Sequence, residues 1–392
     1  MRIAYVTDQI LPQTATDTRQ MVSMAAALGH AGAEVTLVTP ARWTSEAATA
    51  EEVAAYYEVP LQFDLVTVRS VYPNIRGIEK LAQGIVGPRH PTAGRADLVY
   101  TRTLPILLGA LTARRPVVYE TYRPWPDQQP LSRPLFRWIG RQPHFVGAVL
   151  HSHLAASSYA RAGVPQEKLL PAHNGYDPSA LQPALSKAEA RPRCGLPGER
   201  PVVVYTGRVA MKKGLGLVLT MAEAMPEALF VLVGSEGDGP VEQRAATLAN
   251  VRMVPWLSTG QTIPYLYAAD VLLIPPTSGP LQQVGNTVLP IKTFLYMAAG
   301  RAILAPRTPD VRELLRDDEN AALVPPDDLE AALRQLRRLL DDPLLRERLG
   351  KAAQHDVAGL TWGRRAERVL RFLRERLASS KQVHRMPNPH HR

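Results

Sequence analysis

A single cysteine, Cys194, is all the thiol chemistry that the 392 residues contain. One cysteine cannot close an intramolecular disulfide or, by itself, build a cysteine metal site. Aromatic residues are scarce at 6%, and no apolar run approaches the roughly 20 residues needed to span a bilayer. Asp8 follows Ile3-Ala4-Tyr5-Val6-Thr7 too soon for the apolar stretch of a secretory leader. Together these absences predict a cytoplasmic protein. No Gly-x-Ser-x-Gly, P-loop or complete dinucleotide fingerprint stands in its usual context. What is present is ordinary for a globular enzyme: 45% hydrophobic and 21% charged residues, which excludes a disordered or fibrous chain. The length predicts about two domains, each with its own core.

Charge of one sign is also missing from most of the chain. The net charge is +10, but residues 331–392 carry 15 Lys+Arg against 6 Asp+Glu, leaving 31 against 30 in the remainder. A nucleic-acid groove is lined by basic residues from the body of a domain, so nucleic acid is not an expected partner. The excess sits largely on a C-terminal helix whose Ala366, Val369, Leu370, Leu373 and Leu377 share one face. Arg364, Arg365, Arg368, Arg371, Arg374 and Arg376 fill much of the rest. Such a helix docks on a domain through its apolar face; the alternative is peripheral contact with an anionic membrane at its inner face.

Short Val-, Ile- and Leu-rich runs alternate with helical stretches, the pattern of buried parallel strands and their crossovers. In the first half the runs begin at Arg2, Glu34, Leu65, Asp97, Pro116 and Gly147. They start afresh at Pro201–Thr206 and continue through Leu229–Val233, Val251–Val254, Val271–Ile274, Ala302–Ala305 and Ala321–Val324. The polar, Pro-rich stretch from Pro178 to Arg200 reads as a linker between them. The expected organisation is α/β, with two doubly wound Rossmann-like domains at 1–180 and 181–360. A helix at 361–380 and a disordered tail at 381–392 follow. The carboxyl ends of two such sheets would face a central cleft, where ligands of open α/β sheets bind.

Three segments carry candidate chemistry. In Tyr205-Thr206-Gly207-Arg208-Val209-Ala210-Met211-Lys212-Lys213-Gly214, a strand ends in a glycine that admits a ligand to the backbone. Arg208 then offers a planar fork for phosphate oxygens and Lys213 a compact second charge. In Leu232-Val233-Gly234-Ser235-Glu236-Gly237, a strand again ends in a Gly-rich turn. In Gly285-Asn286-Thr287-Val288-Leu289-Pro290-Ile291-Lys292, Asn286 or Thr287 can cap a helix continuing through Tyr296, with Pro290 in its first turn. A helix N-terminus with free N–H donors is a ready anion site; the alternative is a plain capped helix whose Lys292 only packs. His151 and His153 flank Ser152 without an evident third metal ligand, and Tyr122 to Pro134 reads as a rigid loop able to line an acceptor pocket.

Together these segments resemble the C-terminal half of the retaining, nucleotide-sugar-dependent glycosyltransferases of family 4 (group 1 type), which have the two-domain GT-B fold. His173-Asn174-Gly175-Tyr176-Asp177 matches that family's Asn-Gly-x-Asp segment. Pro290–Gly300 with Arg301–Ala305 resembles its donor helix and next strand, and Thr361-Trp362 the start of its closing helix. The resemblance implies sugar transfer from a UDP- or GDP-sugar to an acceptor hydroxyl on a glycan, lipid or small molecule. The donor would be bound by Gly207, Arg208, Lys213, Gly234, Asn286, Thr287, Leu289 and Leu295. It implies no metal and no cofactor beyond the nucleotide sugar, the cations stabilising the departing anion.

The departures from the family are concentrated in that site. Its two glutamates, separated by seven residues, fall on Thr287 and Leu295, and its first-domain histidine on Tyr122. The paired glycines after the first strand are missing from Gln9–Thr18. Leucine accepts no hydrogen bond from ribose, a loss of roughly 1.5–3 kcal/mol if nothing replaces it. Tyr122 can hydrogen-bond but is no imidazole. These substitutions leave a second reading open, a catalytically silent GT-B partner subunit or nucleotide-sugar-binding protein.

Overall fold

The computed structural model describes residues 1–41, 46–69, 76–279 and 289–383. They form two units, one of Met1–Asn174 with the closing helix Trp362–Val383, the other Gly175–Thr361. Each is a parallel sheet wound in both directions from its first strand.

The first unit has seven strands: β1 (Arg2–Val6), β2 (Glu34–Ala41), β3 (Asp64–Arg69), β4 (Leu98–Thr101), β5 (Val117–Thr121), β6 (Phe145–Leu150) and β7 (Leu169–Pro171). Their order is β3-β2-β1-β4-β5-β6-β7, with every pair parallel. The central strands are buried on both faces, which is why they read as unbroken apolar runs. The helix Thr16–His30 covers one face through Met21, Met24, Ala25 and Leu28.

The closing helix packs in that same layer. Ala366, Val369, Leu370 and Leu373 are buried there, so the apolar face that a membrane would need is already covered by protein. Of its arginines, Arg365 departs from the expected surface stripe. Its side chain is 3% exposed and paired with Glu120. A cationic residue facing inward needs a buried carboxylate, and Glu120 at the end of β5 supplies it.

The second unit has six strands: β8 (Val202–Thr206), β9 (Leu229–Ser235), β10 (Val251–Pro255), β11 (Val271–Leu273), β12 (Ala302–Pro306) and β13 (Ala322–Val324). Their order is β10-β9-β8-β11-β12-β13. The strand order reverses between β8 and β11, so the loop leaving β8 lies at the switch point where such sheets bind ligands.

The stretch expected to be a linker is instead part of this unit. Leu181, Leu185, Ala190, Cys194 and Leu196 are buried in its core. Ser186 and Glu189 form a reciprocal capping box that starts the helix Lys187–Arg193. Arg191 and Lys187 both reach Asp270, at 2.6 Å each. Polar composition here reflects caps and a buried ion cluster rather than freedom from the domain. Among the described residues no helix is long and apolar enough to cross a membrane.

Candidate active site

The end of β8 is built from two glycines pressed together. Gly207 (φ +122°) and Gly234 (φ +118°) both occupy backbone conformations that L side chains avoid. A Cβ on Gly234 would stand 2.4 Å from the Gly207 carbonyl oxygen. Gly207 N–H donates to the Val233 carbonyl at 2.9 Å, and Val209 N–H to the Gly234 carbonyl at 3.1 Å. The space a side chain on Gly234 would need is therefore taken by the neighbouring turn. Gly234→Ala should lower stability by roughly 2–4 kcal/mol through strain and overlap, and displace the Gly207–Arg208 turn. Thermal unfolding and nucleotide titration of the variant would show both effects; an unchanged melting temperature would contradict the packing described.

Arg208 and Lys213 stand on this one loop. The Arg208 guanidinium is 3.1 Å from the Glu236 carboxylate, an exposed pair, so an anionic ligand at Arg208 competes with Glu236. Lys213 ends a short 3-10 turn (Met211–Lys213) closed by Gly214 at φ +80°. Its pKa is lowered by partial desolvation and then by the charges of Lys212 and Arg208, which places the cations within electrostatic reach of each other.

A residue of the third segment joins them. Thr206 donates through its N–H and its hydroxyl to Tyr296 Oη, at 2.8 and 3.2 Å. This ties the helix Lys292–Ala298 to the end of β8. The Lys292 ammonium consequently lies 3.6 Å from the centre of the Tyr205 ring and 3.1 Å from where a Cβ on Gly207 would be. The sequence left packing by Lys292 as the alternative to an anion site at this helix N-terminus; the signal for its place is its spacing four residues before Tyr296, which puts both on one helix face.

That helix begins later than expected. Its cap residue is Ile291, which supplies no side-chain cap, and Pro290 precedes it, its carbonyl accepting from Thr293 N–H at 2.9 Å. Asn286 and Thr287 lie outside the described residues. Leu289 is buried in the core of the unit, and Leu295 is partly buried against that core, where it offers no polar atom.

In the first unit, Tyr122 follows β5 with its ring 6.2 Å from that of His151. His151 is engaged elsewhere: its Nε2 is 2.6 Å from Glu120 Oε1. Glu120 also accepts from Tyr100 Oη at 2.6 Å and Tyr5 Oη at 3.4 Å. Among the described residues no group of three or more His, Cys, Asp or Glu could hold a metal ion. A cavity of about 650 Å³ opens at the amino end of the first sheet, lined by Arg2, Glu34, Asp64 and Arg95 among others. It mixes charges of both signs and lies at the edge opposite to Tyr122, so it has no part in this chemistry.

Comparison with known proteins agrees with the geometry. Residues 186–356 match the family model for glycosyl transferases group 1. The chain is 28% identical over 198 residues to the sulfoquinovosyl transferase SQD2 of Arabidopsis thaliana, covering 48% of this chain and 36% of that protein. It is 26% identical over 237 residues to the D-inositol 3-phosphate glycosyltransferase of Kineococcus radiotolerans, covering 54% and 53%. The matched stretch thus spans about a third to a half of these relatives. Among solved structures, sucrose-phosphate synthase from Thermosynechococcus elongatus superposes with a TM-score of 0.76 at 18% identity, over 96% of this chain and 99% of that one. Anabaena Alr3699/HepE in complex with UDP-glucose gives 0.71 at 17% identity, over 97% and 100%. Residues 186–356 thus carry the sequence pattern of glycosyl transferases group 1, and the chain has the GT-B fold of two Rossmann-like domains.

Proposed function

We propose that the protein transfers a sugar from a nucleoside diphosphate sugar to an acceptor hydroxyl with retention of anomeric configuration. The observation that carries this is the placement of Arg208 and Lys213 on one loop at the switch point of the second sheet. The chemistry follows from charge. Breaking the bond between the sugar and the diphosphate leaves negative charge on the departing phosphate, and a fixed guanidinium and ammonium stabilise it most where it develops. Arg208 makes a bidentate contact that orients the diphosphate, and Lys213 adds a point charge. In a front-face reaction the departing phosphate oxygen accepts the proton of the acceptor hydroxyl. No protein nucleophile, metal or further cofactor is then required. The Anabaena structures with UDP and UDP-glucose, of the same fold, support the donor class.

The departures at Leu295 and Tyr122 favour one second reading, a protein that binds the nucleotide sugar without turning it over. Leu295 packs against the core and gives ribose no acceptor. Binding and turnover measured side by side separate the two.

The test is a thermal shift with UDP, GDP and their common sugars. At about 100 Kd a ligand raises stability by about 2.7 kcal/mol, and that shift should vanish in the Arg208→Ala/Lys213→Ala double variant. No shift with any nucleotide at millimolar concentration would contradict the donor site.

A further inference from the structure

We propose that Lys292 is a third cation of the phosphate site and binds the nucleotide's diphosphate together with Arg208 and Lys213. The inference rests on the reading of this turn as a nucleotide site, and deepens it by naming a ligand-contacting group from a different segment of the chain.

Its position is the first argument. The ammonium lies at the glycine that ends β8, 3.1 Å from the point a Cβ on Gly207 would occupy. It is held there by the Tyr205 ring beneath it and by Tyr296, which anchors its helix to Thr206. A side chain on Gly207 would press on the ammonium, so this glycine keeps the cation at the turn.

The second argument is charge. Lys292 has no carboxylate partner among the described residues, and the segments 42–45, 70–75, 280–288 and 384–392 contain no Asp or Glu. Among the described residues nothing therefore supplies a counter-charge. An aromatic face offsets only part of the loss on desolvating an ammonium. Desolvation, and then the like charge of Lys213, push the Lys292 pKa well below its ordinary value. A partly buried ammonium with no partner among the described residues, next to a second cation, is what a protein avoids for stability alone. An incoming anion reverses the balance, since it neutralises both lysines at once. A diphosphate, which spans more than one oxygen cluster and carries more charge than a monophosphate, is the chemical class that three cations around one turn fit.

The experiment compares the wild type with Lys292→Met and Lys292→Arg, using UDP, GDP, ADP, UMP and inorganic pyrophosphate as probes. Lys292→Met should weaken the nucleoside diphosphate that the wild type binds by about tenfold or more, and UMP by less than about threefold. Lys292→Arg should retain most of the affinity. The unliganded melting temperature of Lys292→Met should equal or exceed that of the wild type, because an uncompensated charge has been removed. A lower one would mark Lys292 as structural and overturn the proposal. Calorimetry near pH 9 in two buffers should show proton uptake on binding for the wild type and less for Lys292→Met. A Lys292→Met variant that does not fold overturns the proposal in the same way. Diphosphate affinity equal to wild type in the variant overturns the role of Lys292 and leaves the nucleotide reading intact. Pyrophosphate binding that depends on Lys292, with no nucleoside diphosphate bound more tightly, supports the cation site and overturns the nucleotide reading. A wild type that binds neither overturns both.

Discussion

Replacing Arg365 by methionine is expected to destabilise the first unit by about 3–5 kcal/mol. Arg365 reaches from the closing helix to the end of the sheet, where its Nη2 donates to Glu120 Oε1 at 3.0 Å and its Nε to the His173 carbonyl at 2.9 Å. The two side chains are 3% and 1% exposed. Methionine preserves most of the volume but leaves a carboxylate buried with only neutral donors, Tyr100, Tyr5 and His151, and with Arg102 acting at longer range. The apolar face of the helix stays in place, so the loss reports the uncompensated charge rather than a lost element. Urea denaturation followed by tryptophan fluorescence measures it. In the Arg365→Met/Glu120→Gln double variant the loss should be smaller than in Arg365→Met alone, because the charge left behind is gone too. A change under about 1 kcal/mol in the single variant would show that this pair does not hold the helix.

Stability should also fall as pH is lowered from about 6.5 toward 4, by roughly 3 kcal/mol from His151 alone. Burial pulls the His151 pKa from 6.5 down to about 4, and Arg102 and Arg365 act in the same direction. The geometry explains why. Its Nε2–H donates to Glu120, while Nδ1 is buried with no hydrogen-bond partner among the described residues, so a second proton would meet no acceptor there. The folded protein keeps this ring neutral across a range in which the unfolded chain protonates it. The unfolded state therefore binds more protons between pH 6.5 and 4, and stability declines through that window. Glu120, held well below the usual carboxylate range by Arg365 and His151 against its burial, has the same sign at lower pH. Asp310, raised by burial, opposes it. Denaturation at a series of pH values tests this: the slope should flatten in His151→Gln, and an unchanged slope would mean that His151 is charged in the folded state.

The architecture was legible because parallel strands buried on both faces leave unbroken apolar runs, and each run named at the outset falls on a strand of the two sheets. The stretch 178–200 was misread because polarity is ambiguous. Ser186, Lys187 and Arg191 look like solvated linker residues, but they serve as a cap and as partners of Asp270. Arg365 shows the same ambiguity within a helix, since an arginine stripe does not reveal which member meets a carboxylate from a distant strand. Arg208 and Lys213 could be singled out in the sequence because they are local, five residues apart at a strand end. The place of Lys292 beside them could not be read there, because it depends on Tyr296 reaching Thr206 across 90 positions of sequence. Gly234 was singled out because a Gly-rich turn lets backbone N–H groups reach a ligand; its missing side chain also makes room for the Gly207 backbone.

The central claim is that the turn after β8 holds the diphosphate of a nucleotide. The most direct measurement is the ³¹P spectrum of a nucleoside diphosphate titrated with the protein. Both phosphate resonances of UDP or GDP should shift or broaden saturably with the wild type and stay at their free positions with Arg208→Ala/Lys213→Ala. Spectra unaffected by the wild type, or affected equally by the double variant, would contradict it.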